Sequence, residues 1–166
     1  RGGGGGATGW GKQRVRSLGS RGVLLDVARI KGVESLDCPY AITAKDLDEA
    51  AAMGGVEVRA GDIVLVRTGR MAIYHSEGGL AYCLGPAGDG SNAGLSMSTV
   101  EWFHERDVAA VANDTLAFEV YPSEDVPMAV HMLHLVDMGL IQGQNWDLEA
   151  LAESCADDGI YEFFLA

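Results

Sequence analysis

The sequence predicts an α/β fold with a mixed sheet and flanking helices. Three observations carry that prediction. Short apolar runs read as buried strands at Gly22–Val27, Asp62–Thr68 and Val108–Val111. Segments with helical periodicity and recognisable start and stop residues alternate with them. Glycine-rich or polar stretches separate the two kinds of segment, which is how loops read by composition.

In chain order, residues 2–11 are mostly glycine. Glycine at that density loses too much backbone entropy to order cheaply, so residues 1–20 are expected to be a flexible lead-in. One domain is then expected over 21–166, a size that buries a real core. Gly22-Val23-Leu24-Leu25-Asp26-Val27 is the first strand. Asp37, Cys38 and Pro39 mark a turn. Thr43, with Asp46 three positions on, reads as a variant capping box opening a helix whose apolar side is Leu47, Ala50 and Ala51. Val56–Arg59 alternates, Ala60-Gly61 turns, and Asp62–Thr68 is a central strand. Residues 84–97 are expected to be loop. Ser98 or Thr99 caps a helix over Val100–Arg106. Val108–Val111 is a strand, with Asn113-Asp114 just beyond it.

Val126–Met138 has helical spacing, with Pro127 in its first turn and Gly139 as its stop. Asp147 caps a last helix, Leu148–Ala156, and Gly159–Ala166 is the final strand. The chain starts with Arg and ends inside that apolar run, so an incomplete domain is expected.

Charge narrows the function. The chain has 12 basic and 24 acidic residues, a formal charge of -12. Arg1, Lys12, Arg14, Arg16 and Arg21 precede every acid, so the remainder is more acidic still. Phosphate backbones and anionic bilayers both recruit cations, so neither nucleic acid nor membrane is expected as a partner. No run approaches 18 apolar residues, and no signal peptide is visible. Cys38, Cys83 and Cys155 are odd in number and widely spaced, which fits neither a disulfide framework nor a C-x-x-C site. A reducing, cytoplasmic setting follows.

Candidate chemistry is sparse. His131 and His134 lie three apart on one helix and face one general side, where one or both could meet a metal or sit in the core. His104 reads as a surface residue, and His75 precedes a glycine-rich loop. Asp114 follows a strand, where open α/β sheets place their sites, or else orients a loop by accepting backbone amides. Glu119 has the same two readings. Gln144 could coordinate through its amide oxygen. No nucleophile elbow and no dinucleotide fingerprint is present. Cys38 has no base beside it and reads as structural.

Four blocks, in order, resemble the cyclase superfamily, which includes metal-dependent kynurenine formamidases and isatin hydrolases. They are Arg21–Ala28, Arg59–Gly69, Thr99–Arg106, and Val130–Met132 with Asp147–Leu151. The resemblance covers about residues 18–166. It implies a swivelling β/β/α fold and metal-dependent hydrolysis of a small linear or cyclic amide, with zinc or manganese as the metal. His131 resembles the family's late-helix histidine ligand. Gln144 stands where the family usually has glutamate and its isatin-hydrolase branch has glutamine. The family's first ligands come from an H-x-G-T-H-x-D motif that these 166 residues lack. The alternative is therefore a non-catalytic relative that binds a small molecule or serves a structural role. Self-association into a homo-oligomer is expected. Trp102, Phe103, Tyr82 and Trp146 are available either to line a pocket or to fill the core.

Overall fold

A computed structural model describes residues 19–123 and 126–166. The elements run β1 (Ser20–Asp26), α1 (Val27–Ile30), β2 (Ala41–Ile42), α2 (Ala44–Met53), β3 (Ile63–Arg67), α3 (Arg70–Glu77), α4 (Gly79–Leu84), β4 (Gly94–Leu95), α5 (Ser98–Glu105) and β5 (Ala110–Asn113). Then come α6 (Ala129–His131), which widens into a π-helical stretch over Met132–Asp137, β6 (Ile141–Gly143), α7 (Glu149–Asp158) and β7 (Glu162–Leu165).

Five strands form the main sheet in the order β6-β5-β3-β1-β7. Neighbours are parallel except β7, which runs antiparallel along the β1 edge. β2 and β4 pair separately, in parallel. The sheet is covered on both faces, and strand alternation shows how. Val23, Leu25, Val64, Val66 and Val111 point to one side, where they meet Leu47, Trp102, Phe103 and Val130 from α2, α5 and α6. Leu24, Ile63, Leu65, Ala110 and Ala112 point to the other, where Leu148, Ala152 and Cys155 close over them. A strand buried on both faces must be apolar at every position, which is why these runs stand out in the sequence.

The capping box is present. The Thr43 side chain accepts from Asp46 N at 3.3 Å, and Asp46 Oδ2 accepts from Thr43 N at 2.8 Å. Other expectations shift. β1 begins at Ser20, and the lead-in otherwise lies outside the described residues. Val56–Arg59 forms no strand, and the expected loop over 84–97 contains β4. α5 starts at Ser98 without a side-chain cap, because Thr99 Oγ1 bonds back to the Ser96 carbonyl at 2.8 Å. β5 sits two residues later than expected, at 110–113. The late helix starts at Ala129, not Val126, because Met128 takes a left-handed backbone (φ 63°) that ends any helix running into it. α7 begins at Glu149, with Asp147 Oδ1 accepting from Glu149 N at 3.2 Å.

α3 and α4 were not foreseen. α3 opens at Gly69, which is left-handed (φ 78°) and offers no side-chain cap to read. A Cβ there would collide with the Glu34 carbonyl, so only glycine fits this strand-to-helix turn.

Candidate functional site

Three loops meet beyond the carboxyl ends of β3, β5 and β6. Asp114, fully buried after β5, accepts from Thr68 N (2.9 Å), Thr68 Oγ1 (2.8 Å), Gly69 N (2.8 Å) and Arg70 N (3.2 Å). It locks the turn after β3 onto β5, which is the loop-orienting role. Burial pushes its pKa up to about 6, against the pull of these donors.

Asn113 does similar work one residue earlier. Its Nδ2 donates to Phe118 O at 2.8 Å, and its Oδ1 accepts from Thr115 N and Thr115 Oγ1 at 3.3 and 3.2 Å. The loop therefore curls back and delivers Glu119 to the start of α6. Glu119 Oε2 accepts from Val130 N at 2.6 Å. Its other oxygen, Oε1, faces His131 Nδ1 at 3.4 Å, and neither atom has a hydrogen-bond partner although both are buried.

The sequence singled out His131 and Gln144 as a ligand pair, and the fold brings them together. Gln144 Nε2 lies 2.8 Å from His131 Nε2. With the amide donating, the proton of the neutral ring sits on Nδ1, toward Glu119. His134 is the core histidine of the two. It is fully buried, with ring contacts to Phe103 at 5.6 Å and Phe118 at 5.8 Å between centroids. Gln142 Nε2 lies 3.0 Å from its Nδ1. Burial, helped by nearby His131, drops the His134 pKa to about 4. Gln142 was missed in the sequence. The signal was its spacing from Gln144: residues two apart in extended backbone share a face, and with Gln142 in β6 and Gln144 just past its end both amides reach the histidine pair.

The remaining candidates lie elsewhere. His104 is exposed on α5. His75 is exposed and pairs with Asp147, Nε2 to Oδ2 at 2.8 Å. Trp102 and Phe103 are core residues, with Trp102 Nε1 donating to Asp48 at 2.7 Å. Tyr82 is buried, its hydroxyl 3.0 Å from the Asp114 carbonyl, and Trp146 is partly exposed.

The donor set is short of a metal centre. Among the described residues, no three or more His, Cys, Asp or Glu side chains gather in a way that could hold an ion. Outside the described residues, 1–18 contain none of these types, and the remaining two are Glu124 and Asp125. At the site itself, His131 Nε2 and Gln144 Nε2 engage one another, and Glu119 spends one oxygen on a backbone amide. A catalytic zinc site needs three protein ligands and an open position. The residues present do not fit a catalytic metal by themselves.

An α/β sheet of mixed direction, with polar groups gathered at the carboxyl ends of its parallel strands, defines the class. Residues 7–120 match the cyclase family model, described as "Putative cyclase", and the chain belongs to that family. It is similar to a solved structure described as a novel cyclase, at 40% identity and TM-score 0.78, over 91% of this chain and 48% of the other. It is also similar in fold to isatin hydrolase A from Labrenzia aggregata, bound to benzyl benzoate (15% identity, TM-score 0.61, 77% of this chain and 48% of that one). The enzyme of the same name from Ralstonia solanacearum matches at 19% identity and TM-score 0.62, over 78% of this chain and 48% of that one. The chain thus spans about half the length of the solved structures it matches. No curated protein matches it.

Proposed function

We propose that this chain is a cyclase-family small-molecule-binding unit that does not hold a catalytic metal by itself. The observation that supports this most directly is the His131–Gln144 contact of 2.8 Å. The imidazole nitrogen and carboxamide that the family resemblance offers as ligands are turned toward each other, and among the described residues no group of three or more His, Cys, Asp or Glu gathers there to hold an ion. Glu119 closes the opposite side of the same imidazole. What the cluster offers unaided to a bound polar group is Glu119 Oε1 and His131 Nδ1, two buried polar atoms with no hydrogen-bond partner.

A second reading is favoured by the same pair. His131 and Gln144 come from separate elements, 13 residues apart, and still converge. Chain beyond these 166 residues that supplied further ligands would turn the cluster into part of a zinc or manganese centre for amide hydrolysis. Other parts of the proposal are a cytoplasmic setting, supported by three free cysteines, and self-association, supported by exposed Met128, Met132 and Val136 around α6. Among the described residues, no helix is long and apolar enough to cross a membrane.

The test is incubation of the 166-residue chain with isatin and either zinc or manganese, followed by absorbance. The expected result is no conversion above that with metal alone. Conversion that is lost in His131→Ala would overturn the first reading in favour of the second.

A further inference from the structure

We propose that the groove between α5 and the π-helical stretch docks a short basic amphipathic helix of a partner protein. The groove has a volume of about 740 Å³ and runs beside the whole of α5, from Met97 before its start to Val108 beyond its end. Its floor is apolar: Val100, Phe103, Val108, Leu133 and Leu140. Met97 from the α5 side and Met138 from the π-helical side are partly buried against the core, and flexible thioethers adapt to an incoming apolar side chain. None of Glu119, His131 and Gln144 lines the groove, and neither do the exposed Met128, Met132 and Val136, so it is separate from both surfaces described above.

Charge decides what can sit there. Glu101, Asp107 and Asp137 are exposed and line the groove, with His104 as the fourth polar side chain, and no Lys or Arg lines it. Among the described residues, none of these three carboxylates has an ion-pair or hydrogen-bond partner for its side chain. A second copy of this chain would bring a body of formal charge -12 against them, so like charges oppose that occupant. A partner bearing Lys or Arg meets all three, and the same field draws it in.

The spacing of the carboxylates favours a helix over a small amine. Glu101 and Asp107 are six residues apart, about 9 Å along the direction of α5 at 1.5 Å per residue, so one ammonium cannot pair with both. Asp137 stands on the other bank, in the π-helical stretch. The eight residues of α5 span about 12 Å, room for about two turns of a partner helix beside it. An amphipathic helix sets apolar side chains at i, i+3 or i+4 and i+7 along one face, with its cations on the flanks. The apolar side chains displace water from the floor, and the cations reach the two banks.

The experiment uses the 166-residue chain and fluorescence anisotropy of labelled peptides of about 18 residues, long enough to form a helix. A Leu–Lys peptide of amphipathic pattern is expected to bind about tenfold tighter than one of the same composition with its leucines spread round the helix, the worth of about one buried leucine. A Leu–Glu peptide of the same pattern is expected not to bind. Glu101→Gln, Asp107→Asn and Asp137→Asn together should weaken the Leu–Lys peptide about tenfold, the summed worth of three exposed ion pairs. Glu77→Gln, Glu153→Gln and Asp157→Asn together alter the net charge equally at exposed positions outside the groove, and should leave that affinity unchanged. Circular dichroism reports whether both variants are folded. Equal weakening by the two sets, or none from the first, overturns the proposal. So does equal binding of the patterned and spread peptides, or phenethylamine binding as tightly as the patterned one. Self-association of the chain that the peptide competes away gives the groove to a second copy and overturns it too.

Discussion

His134 makes the stability of this fold depend on pH in a defined direction. Its imidazole is fully buried, with Phe103 and Phe118 against it and Gln142 on Nδ1. Burial, with a smaller contribution from His131, lowers its pKa from 6.5 to about 4. The unfolded chain therefore binds a proton near pH 6.5 that the folded chain refuses until about pH 4. Stability from this group is fully present above pH 6.5 and is lost as the pH falls through that window. Each pH unit that separates the two states is worth about 1.4 kcal/mol, so the loss is roughly 3 kcal/mol. The assay is urea unfolding at pH 7.5 and pH 4 for the unaltered chain and for His134→Gln, which keeps a polar partner for Gln142. Other titrating groups, Asp114 among them, act in both chains and cancel in the comparison. The unaltered chain should lose about 3 kcal/mol more than the variant on acidification. Equal losses would refute the assignment of His134 as a buried neutral ring.

Two further substitutions probe what holds the site together. Arg67 is buried and donates to Asp26 Oδ1 at 2.9 Å and Glu149 Oε2 at 2.6 Å. Arg67→Met leaves the buried Asp26 carboxylate with Arg29 alone and should cost about 3–5 kcal/mol in urea unfolding, partly recovered by adding Asp26→Asn. Gly94 runs against the loop that carries Glu119. A Cβ there would lie 2.7 Å from Phe118 O and closer still to the Glu119 carbonyl. Gly94→Ala should therefore cost about 1–3 kcal/mol by calorimetry and shift the His131 ring resonances in NMR, because Glu119 must move.

The layered sheet was legible because its strands are apolar at consecutive positions and the helix over Ala44–Met53 announces itself with Thr43 and Asp46. α3 and α4 were not, because both begin at glycines in conformations that carry no capping side chain. The late helix was read three residues too long at its start, since apolar periodicity says nothing about the left-handed Met128. At the site, His131 and Gln144 could be chosen only through the family resemblance. The bond between them depends on how the end of β6 lies beside α6, and that is tertiary information. His134 and Gln142 show the same limit. A histidine three residues from another on a helix has the spacing of a ligand pair, and only the packing of Phe103 and Phe118 makes it a core residue.

The cluster of Glu119, His131 and Gln144 sits in a cyclase-family fold, and on the proposed reading it is not a metal centre on its own. Calorimetric titration of the 166-residue chain with zinc and with manganese, after chelator treatment and dialysis, tests that reading most directly. No tight binding at one ion per chain is expected, with the same weak heat from His131→Ala. A single tightly bound ion per chain, lost in His131→Ala, would contradict it.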